Sequence, residues 1–152
     1  MPTNSDIIRQ SYLRTQAVWY LKQWLGTPYV IGGNDPLAGF DCNGLIHEVL
    51  QGVGIEKRGY DCTANDLYLT YKNNKVELPY AGCLVFFLRE GKAKHVGMMI
   101  DDNFFIAAGG GDFETRTLDD AIRKNAYVKM DSLKNLGGNV KICDPFLDKE
   151  TP

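Results

Sequence analysis

The chain has 152 residues, a formal net charge of −2, 44% hydrophobic and 24% charged residues. That length suits one hydrophobic core, and the composition is that of an ordinary globular protein. The charge balance excludes the clustered positive surface that phosphate binding needs, so no nucleic-acid partner is expected. The longest apolar runs, such as Cys83 to Leu88, fall far short of the roughly 20 residues of a membrane span.

Residues Ser5 to Leu25 are predicted to form one amphipathic helix, with Ile8, Tyr12, Leu13, Val18, Leu21 and Leu25 on its apolar stripe and Gly26 and Pro28 as its stop. The opening segment Met1-Pro2-Thr3-Asn4-Ser5-Asp6 has neither the basic nor the apolar region of an export signal, so synthesis as a soluble cytoplasmic chain is expected. A Gly-rich irregular stretch from Tyr29 to Phe40 follows, of the kind that lets backbone approach closely around a cleft. Asp41 is a natural N-cap for a helix from Cys42 to about Val53, which buries Leu45, Ile46, Val49 and Leu50. A third helix is predicted from Thr63 to Lys72, with Thr63 as cap and Asp66 three residues on.

The period then changes. Leu84 to Leu88, His95 to Ile100 and Phe104 to Ala108 read as successive strands joined by tight turns. A short helix over Thr117–Lys124 and strands near Tyr127–Met130 and Val140–Cys143 complete the chain. Helices first and an antiparallel meander after is α+β order. One domain over residues 1–147 is expected, with a charged, disordered tail over 148–152.

The four cysteines are Cys42, Cys62, Cys83 and Cys143. No CxxC pair is present and there are two histidines, so neither a zinc site nor a disulfide framework is expected. Cys42 falls at the first turn of a helix, where unpaired N–H groups and the helix dipole favour a thiolate and face the place of a tetrahedral oxyanion. His95 opens a strand just after a turn, from which a side chain can reach a helix N-terminus across a cleft. A thiolate beside an imidazole serves acyl transfer through a thioester. The plain alternative for each residue alone is packing. His47, five residues after Cys42, lies about 140° around the helix and should not face the thiol. Cys62, Cys83 and Cys143 read as packing residues.

Four segments in order carry a resemblance. Gly26-Thr27-Pro28-Tyr29-Val30-Ile31-Gly32-Gly33, Gly39-Phe40-Asp41-Cys42-Asn43-Gly44-Leu45-Ile46, Gly82-Cys83-Leu84-Val85-Phe86-Phe87 and His95-Val96-Gly97 resemble the motifs of the NlpC-type cell-wall cysteine peptidases. The resemblance runs from about residue 10 to residue 125. It implies a papain-like fold, with N-terminal helices packed on an antiparallel sheet. It also implies hydrolysis of peptidoglycan stem peptides or muropeptides after γ-D-glutamate. By position, Cys42 matches the nucleophile, His95 the base, Tyr29 a residue lining the oxyanion side, and Asp41 a residue that holds the substrate's free amino end. Asn43 stands where the family usually has a serine that shares in this binding. No metal or organic cofactor is implied.

The family places a polar residue, usually histidine, twelve positions after the base; here that position is Ala107. Asn103, Asp112 or a main-chain carbonyl are the substitutes that sequence offers. Three functions follow. The first is a cell-wall endopeptidase, of phage-type lysin or tail-associated kind, that reaches the wall after lysis, injection or virion delivery. The second is an amidase or acyltransferase on the same scaffold. Circularly permuted lipid acyltransferases place histidine before cysteine, opposite to the order here. The third is a catalytically weakened or silent binding module, which Ala107 favours.

Overall fold

The computed structural model describes residues 1–35, 37, 39–135 and 138–147; the expected tail at 148–152 lies outside the described residues. Helix α1 (Asn4–Lys22) starts on a capping box, in which the Asp6 N–H donates to Thr3 Oγ1 at 3.1 Å and the Thr3 N–H to the Asp6 carboxylate at 2.8 Å. Its inward face differs from the predicted stripe. Ile8, Tyr12 and Leu25 are exposed, and Gln10, Ala17, Val18 and Leu21 are buried. The reason is polar: Arg14 projects inward, and its Nε donates at 2.8 Å to Asp144, a fully buried carboxylate that also accepts from the Tyr80 hydroxyl.

Two short strands, β1 (Asn34–Asp35) and β2 (Gly39–Phe40), pair antiparallel where sequence suggests only irregular chain. Helix α2 (Cys42–Gly52) follows at once, capped by Asp41 as expected. It buries Leu45, Ile46, Val49 and Leu50 completely. At about 1.5–3 kcal/mol for each such side chain, this face makes α2 the central helix of the core. Helix α3 (Ala64–Tyr71) begins on the Thr63–Asp66 capping box.

The second half forms one antiparallel sheet of β3 (Leu84–Arg89), β4 (Lys92–Met99), β5 (Phe104–Gly109), β6 (Tyr127–Ser132) and β7 (Asn139–Cys143), in the order β6-β5-β4-β3-β7. Helix α4 (Leu118–Lys124) joins β5 to β6. The α+β order expected from sequence is therefore the order of the fold. Val96, Met98, Leu84, Phe86 and Ile106 point to the helices. Cys83, Val85, Met99, Phe105, Ala107 and Ile142 form a second apolar layer on the other face.

Two irregularities position the cleft. Phe87 pairs with His95 but Leu88 pairs with Ala93, so Lys94 is an extra residue on β4. Such a bulge changes which face a side chain takes, and it sends Ala93 into the helix-side core while His95 faces Phe87 on the opposite side. β4 also meets β5 only through Met98↔Ile106 and Met99↔Phe105. Beyond that point the β5-facing edge of β4 is open.

Gly44 lets α2 approach the Gly-rich segment. A Cβ there would overlap the Gly33 carbonyl oxygen. Overpacking against backbone typically costs about 1–3 kcal/mol, more than the roughly 1 kcal/mol that alanine gains over glycine inside a helix. Gly44→Ala is thus expected to lower the urea midpoint of unfolding. A midpoint equal to or above that of the unaltered chain would contradict this close approach.

Candidate active site

The Asp41 carboxylate organises the N-terminus of α2. Oδ1 accepts from the Gly44 N–H at 2.8 Å and Oδ2 from the Gly32 N–H at 2.9 Å, while the Asp41 N–H donates to the Gly33 carbonyl at 2.9 Å. Burial pushes this carboxyl's pKa up, and the two N–H donors work against that shift. The cap takes the Gly44 N–H, and the N–H groups of Cys42 and Asn43 at the head of the helix lower the pKa of the Cys42 thiol.

The sulfur lies in the open edge of the sheet. Met99 donates its N–H to the Cys83 carbonyl on the β3 side, so alternation turns the Val96 N–H the other way, toward the gap between β4 and β5. There it acts on the Cys42 thiol, whose pKa it lowers. Cys42 is thus held beside the residue that follows His95.

The thiolate expected from the helix terminus is not what this environment favours. Burial, then the neighbouring Asp41 charge, push the Cys42 thiol up to about 11 against the N–H groups of Val96, Asn43 and Cys42. Desolvation outweighs the helix terminus, and the resting group is a neutral thiol. It donates weakly to Asn43 Oδ1 at 3.8 Å. Tyr29 is buried against Gly111, where any Cβ would overlap its ring. Burial above all, with Cys42, Asp41 and Asp112, pushes its hydroxyl up to about 12, which leaves it a neutral donor. Asn43 uses its amide differently from a free binding group: Nδ2 donates to the Cys62 carbonyl at 2.7 Å.

The ring of His95 lies against Phe87, with centroids 5.4 Å apart, and Phe87 in turn meets Phe105 at 5.4 Å. Burial alone lowers its pKa to about 4, so the ring is neutral at physiological pH. Among the described residues no hydrogen bond or charge acts on it. Ala107 does share the sheet face of Gly97, where a Cβ would come within 3.1 Å of the Ala107 Cβ. The suggested substitutes are engaged elsewhere: Asn103 Oδ1 accepts from Ser132 at 2.8 Å, and Asp112 accepts from Lys124 at 2.6 Å. An aromatic wall stands where an acceptor was expected.

Sequence reasoning also missed a contact of Cys62. His47 is turned from Cys42 as expected, and it is buried, with its Nε2 3.5 Å from Cys62 Sγ and its Nδ1 2.7 Å from Glu56 Oε2. Cys62 is therefore not simply a packing residue. The two are 15 positions apart across a loop, a separation with no local signal. Cys83 and Cys143 are buried, with thiols pushed up by burial to about 12 and about 11.

A cysteine at a helix N-terminus, driven into the open edge of an antiparallel sheet that carries a histidine, is the arrangement of papain-like cysteine peptidases. Residues 26–132 match the model of the NlpC/P60 family. The chain belongs to that family. It is 32% identical over 114 residues to murein DD-endopeptidase MepH of Escherichia coli (strain K12), an alignment covering 71% of this chain and 41% of MepH. It spans less than half the length of that relative. Its fold is similar to the crystal structure of an NlpC/P60 family protein from Bacillus cereus, with a TM-score of 0.64 at 23% identity over 82% of this chain and 36% of that one. The P60 domain of an antigen from M. avium subspecies paratuberculosis gives a TM-score of 0.66 at 19% identity, covering 92% of this chain and 99% of that domain.

The aromatic wall has a direct test. Removing Phe87 lets water solvate the imidazolium, so Phe87→Ala should move the His95 titration, followed by NMR of the ring protons, from about 4 toward the ordinary histidine value. A titration that stays where it was would show that Phe87 does not set the environment of the ring.

Proposed function

We propose that the chain is a cysteine endopeptidase that cuts peptidoglycan stem peptides after γ-D-glutamate, with Cys42 as nucleophile and His95 as general base. The observation that carries this reading is that Cys42 opens helix α2 where that helix packs on β4, the strand that carries His95, beside the edge of β4 that β5 leaves open. His95 takes the thiol proton as sulfur attacks the scissile carbonyl. The N–H groups at the head of α2 and the Tyr29 hydroxyl stand ready to donate to the oxyanion. Collapse releases the amine, which leaves with the proton held by His95, and water then cleaves the Cys42 thioester. Asp41 and Asn43 line the side assigned to the substrate's amino end. Both Asp41 oxygens already accept one N–H each, and each keeps a second lone pair for an ammonium. Delivery to the wall by lysis, injection or a virion belongs to the same proposal.

One observation favours a second reading, a module that binds wall peptides with little turnover: among the described residues the imidazole of His95 has no acceptor to fix its tautomer and stabilise the imidazolium. Mass spectrometry of muropeptides after incubation separates the two. The endopeptidase reading expects products cut after γ-D-glutamate, none with Cys42→Ala, and about 10²–10⁴-fold less with His95→Ala. Intact muropeptides with the unaltered chain would favour the binding module.

The pH profile follows from the ring. Only neutral imidazole accepts the thiol proton, so kcat/KM should stay level through the mildly acidic range and fall as pH drops through about 4. An acid limb near the ordinary histidine value would contradict a half-buried, neutral His95 in the free enzyme.

A further inference from the structure

Beside the site just described lies a second thiol–imidazole–carboxylate constellation. Glu56 Oε2 is 2.7 Å from His47 Nδ1, and His47 Nε2 is 3.5 Å from Cys62 Sγ. Histidine and carboxylate are sealed in, with side chains 2% and 7% exposed, whereas Cys62 is partly accessible and the other three cysteines are buried. In the tautomer with Nδ1–H donated to Glu56, the lone pair of Nε2 is shared between the Cys62 N–H at 3.1 Å and the sulfur at 3.5 Å, so the same nitrogen is within reach of the thiol proton. The Tyr60 hydroxyl also acts on the sulfur and lowers the thiol's pKa, which favours a thiolate once formed.

The same geometry says which chemistry this thiol suits. Acyl transfer needs a donor aimed at the oxyanion, and the Cys62 N–H is instead directed at His47 Nε2, 3.1 Å away. Attack on a disulfide develops charge on the leaving sulfur alone and needs no such donor.

We propose that Cys62 is a thiol–disulfide exchange site for low-molecular-weight disulfides, with His47, oriented by Glu56, as its proton acceptor. In the exchange the Cys62 sulfur forms a bond to one sulfur of R–S–S–R while the S–S bond breaks. The Cys62 proton passes to His47 Nε2 and from there to the departing thiolate, giving Cys62–S–S–R and R–SH. Cys62 is oxidised and the leaving sulfur reduced, with the disulfide as sole co-reactant.

The charges facing the pair bear on its pH dependence. Around the sulfur, burial and the carboxylates of Glu56, Asp66 and Asp61 raise the thiol's pKa, and Tyr60 lowers it. For His47, burial lowers the pKa, but Glu56, the Cys62 carbonyl and Asp61 together hold it above the ordinary value. The Cys62 carbonyl is also the acceptor for Asn43, next to Cys42, so an adduct stands at the rim of the candidate active site. A consequence that rests on the peptidase reading is that the adduct slows hydrolysis and that Cys62→Ser protein is resistant.

The test uses oxidised glutathione on the full chain carrying Cys42→Ser, with peptide mapping by mass spectrometry. One glutathione is expected, on Cys62, with Cys83 and Cys143 unmodified. His47→Asn, checked for native circular dichroism, should slow the reaction tenfold or more. Should that variant unfold, the pH profile of the parent decides. A thiol without assistance reacts about tenfold faster per pH unit up to its own pKa. The assisted thiol should show an inflection from His47 well below that point. First modification at Cys83 or Cys143, a folded His47→Asn that reacts at the parental rate, or an unbroken tenfold slope would each overturn the proposal. Adduct mapping does not depend on hydrolysis, so its outcome stands whether or not the chain cuts muropeptides.

Discussion

Both oxygens of the Asp41 carboxylate are engaged, one by the Gly44 N–H inside α2 and one by the Gly32 N–H outside it. This bridge ties a glycine-rich loop to the first turn of the central helix, and the position of Cys42 follows from it. With the loop docked, Gly44 must lack a side chain, because its Cβ would occupy the place of the Gly33 carbonyl. The Gly44 N–H is consumed by the cap, and the two N–H groups ahead of it act on the Cys42 thiol, whose pKa they lower. Removing a capping side chain typically costs about 0.5–2 kcal/mol of stability. The geometric consequence here is larger, since the same group sets where the helix enters the sheet.

That entry point is the open edge of β4. Pairing with β5 ends at Met98 and Met99, and the bulge at Lys94 turns His95 to the aromatic face. The result is a pair of neutral groups: a thiol raised by burial to about 11 and an imidazole lowered by burial to about 4. Burial acts in opposite directions on an acid and on a base, because in both it disfavours the charged form. The proposed mechanism therefore starts from proton transfer in the encounter with substrate rather than from a standing ion pair.

Much of this was legible in the sequence where the signals are local. Capping residues marked the starts of α2 and α3, and the switch from helical to strand spacing marked the sheet. What escaped depends on contacts distant along the chain. The inward face of α1 follows Arg14 and the buried Asp144, 130 residues away, rather than the apolar stripe. The loss of thiolate character at Cys42 comes from burial, which a helix-terminus argument leaves out. The Cys62–His47–Glu56 cluster is assembled by a loop whose path no periodicity announces. At position 107 the sequence marked a missing polar group, while the packing of His95 on Phe87 needed the strand register.

The central claim is that the Cys42 sulfur is the atom that attacks the carbonyl after γ-D-glutamate. A chloromethyl ketone built on the L-alanyl-γ-D-glutamyl portion of the stem peptide tests it most directly, because it alkylates the nucleophile that its peptide part brings into reach. Peptide mapping after exposure is expected to find one equivalent on Cys42, with slower labelling in His95→Ala. Labelling of Cys62 in place of Cys42, or labelling of Cys42 no faster than by chloroacetamide alone, would contradict the account.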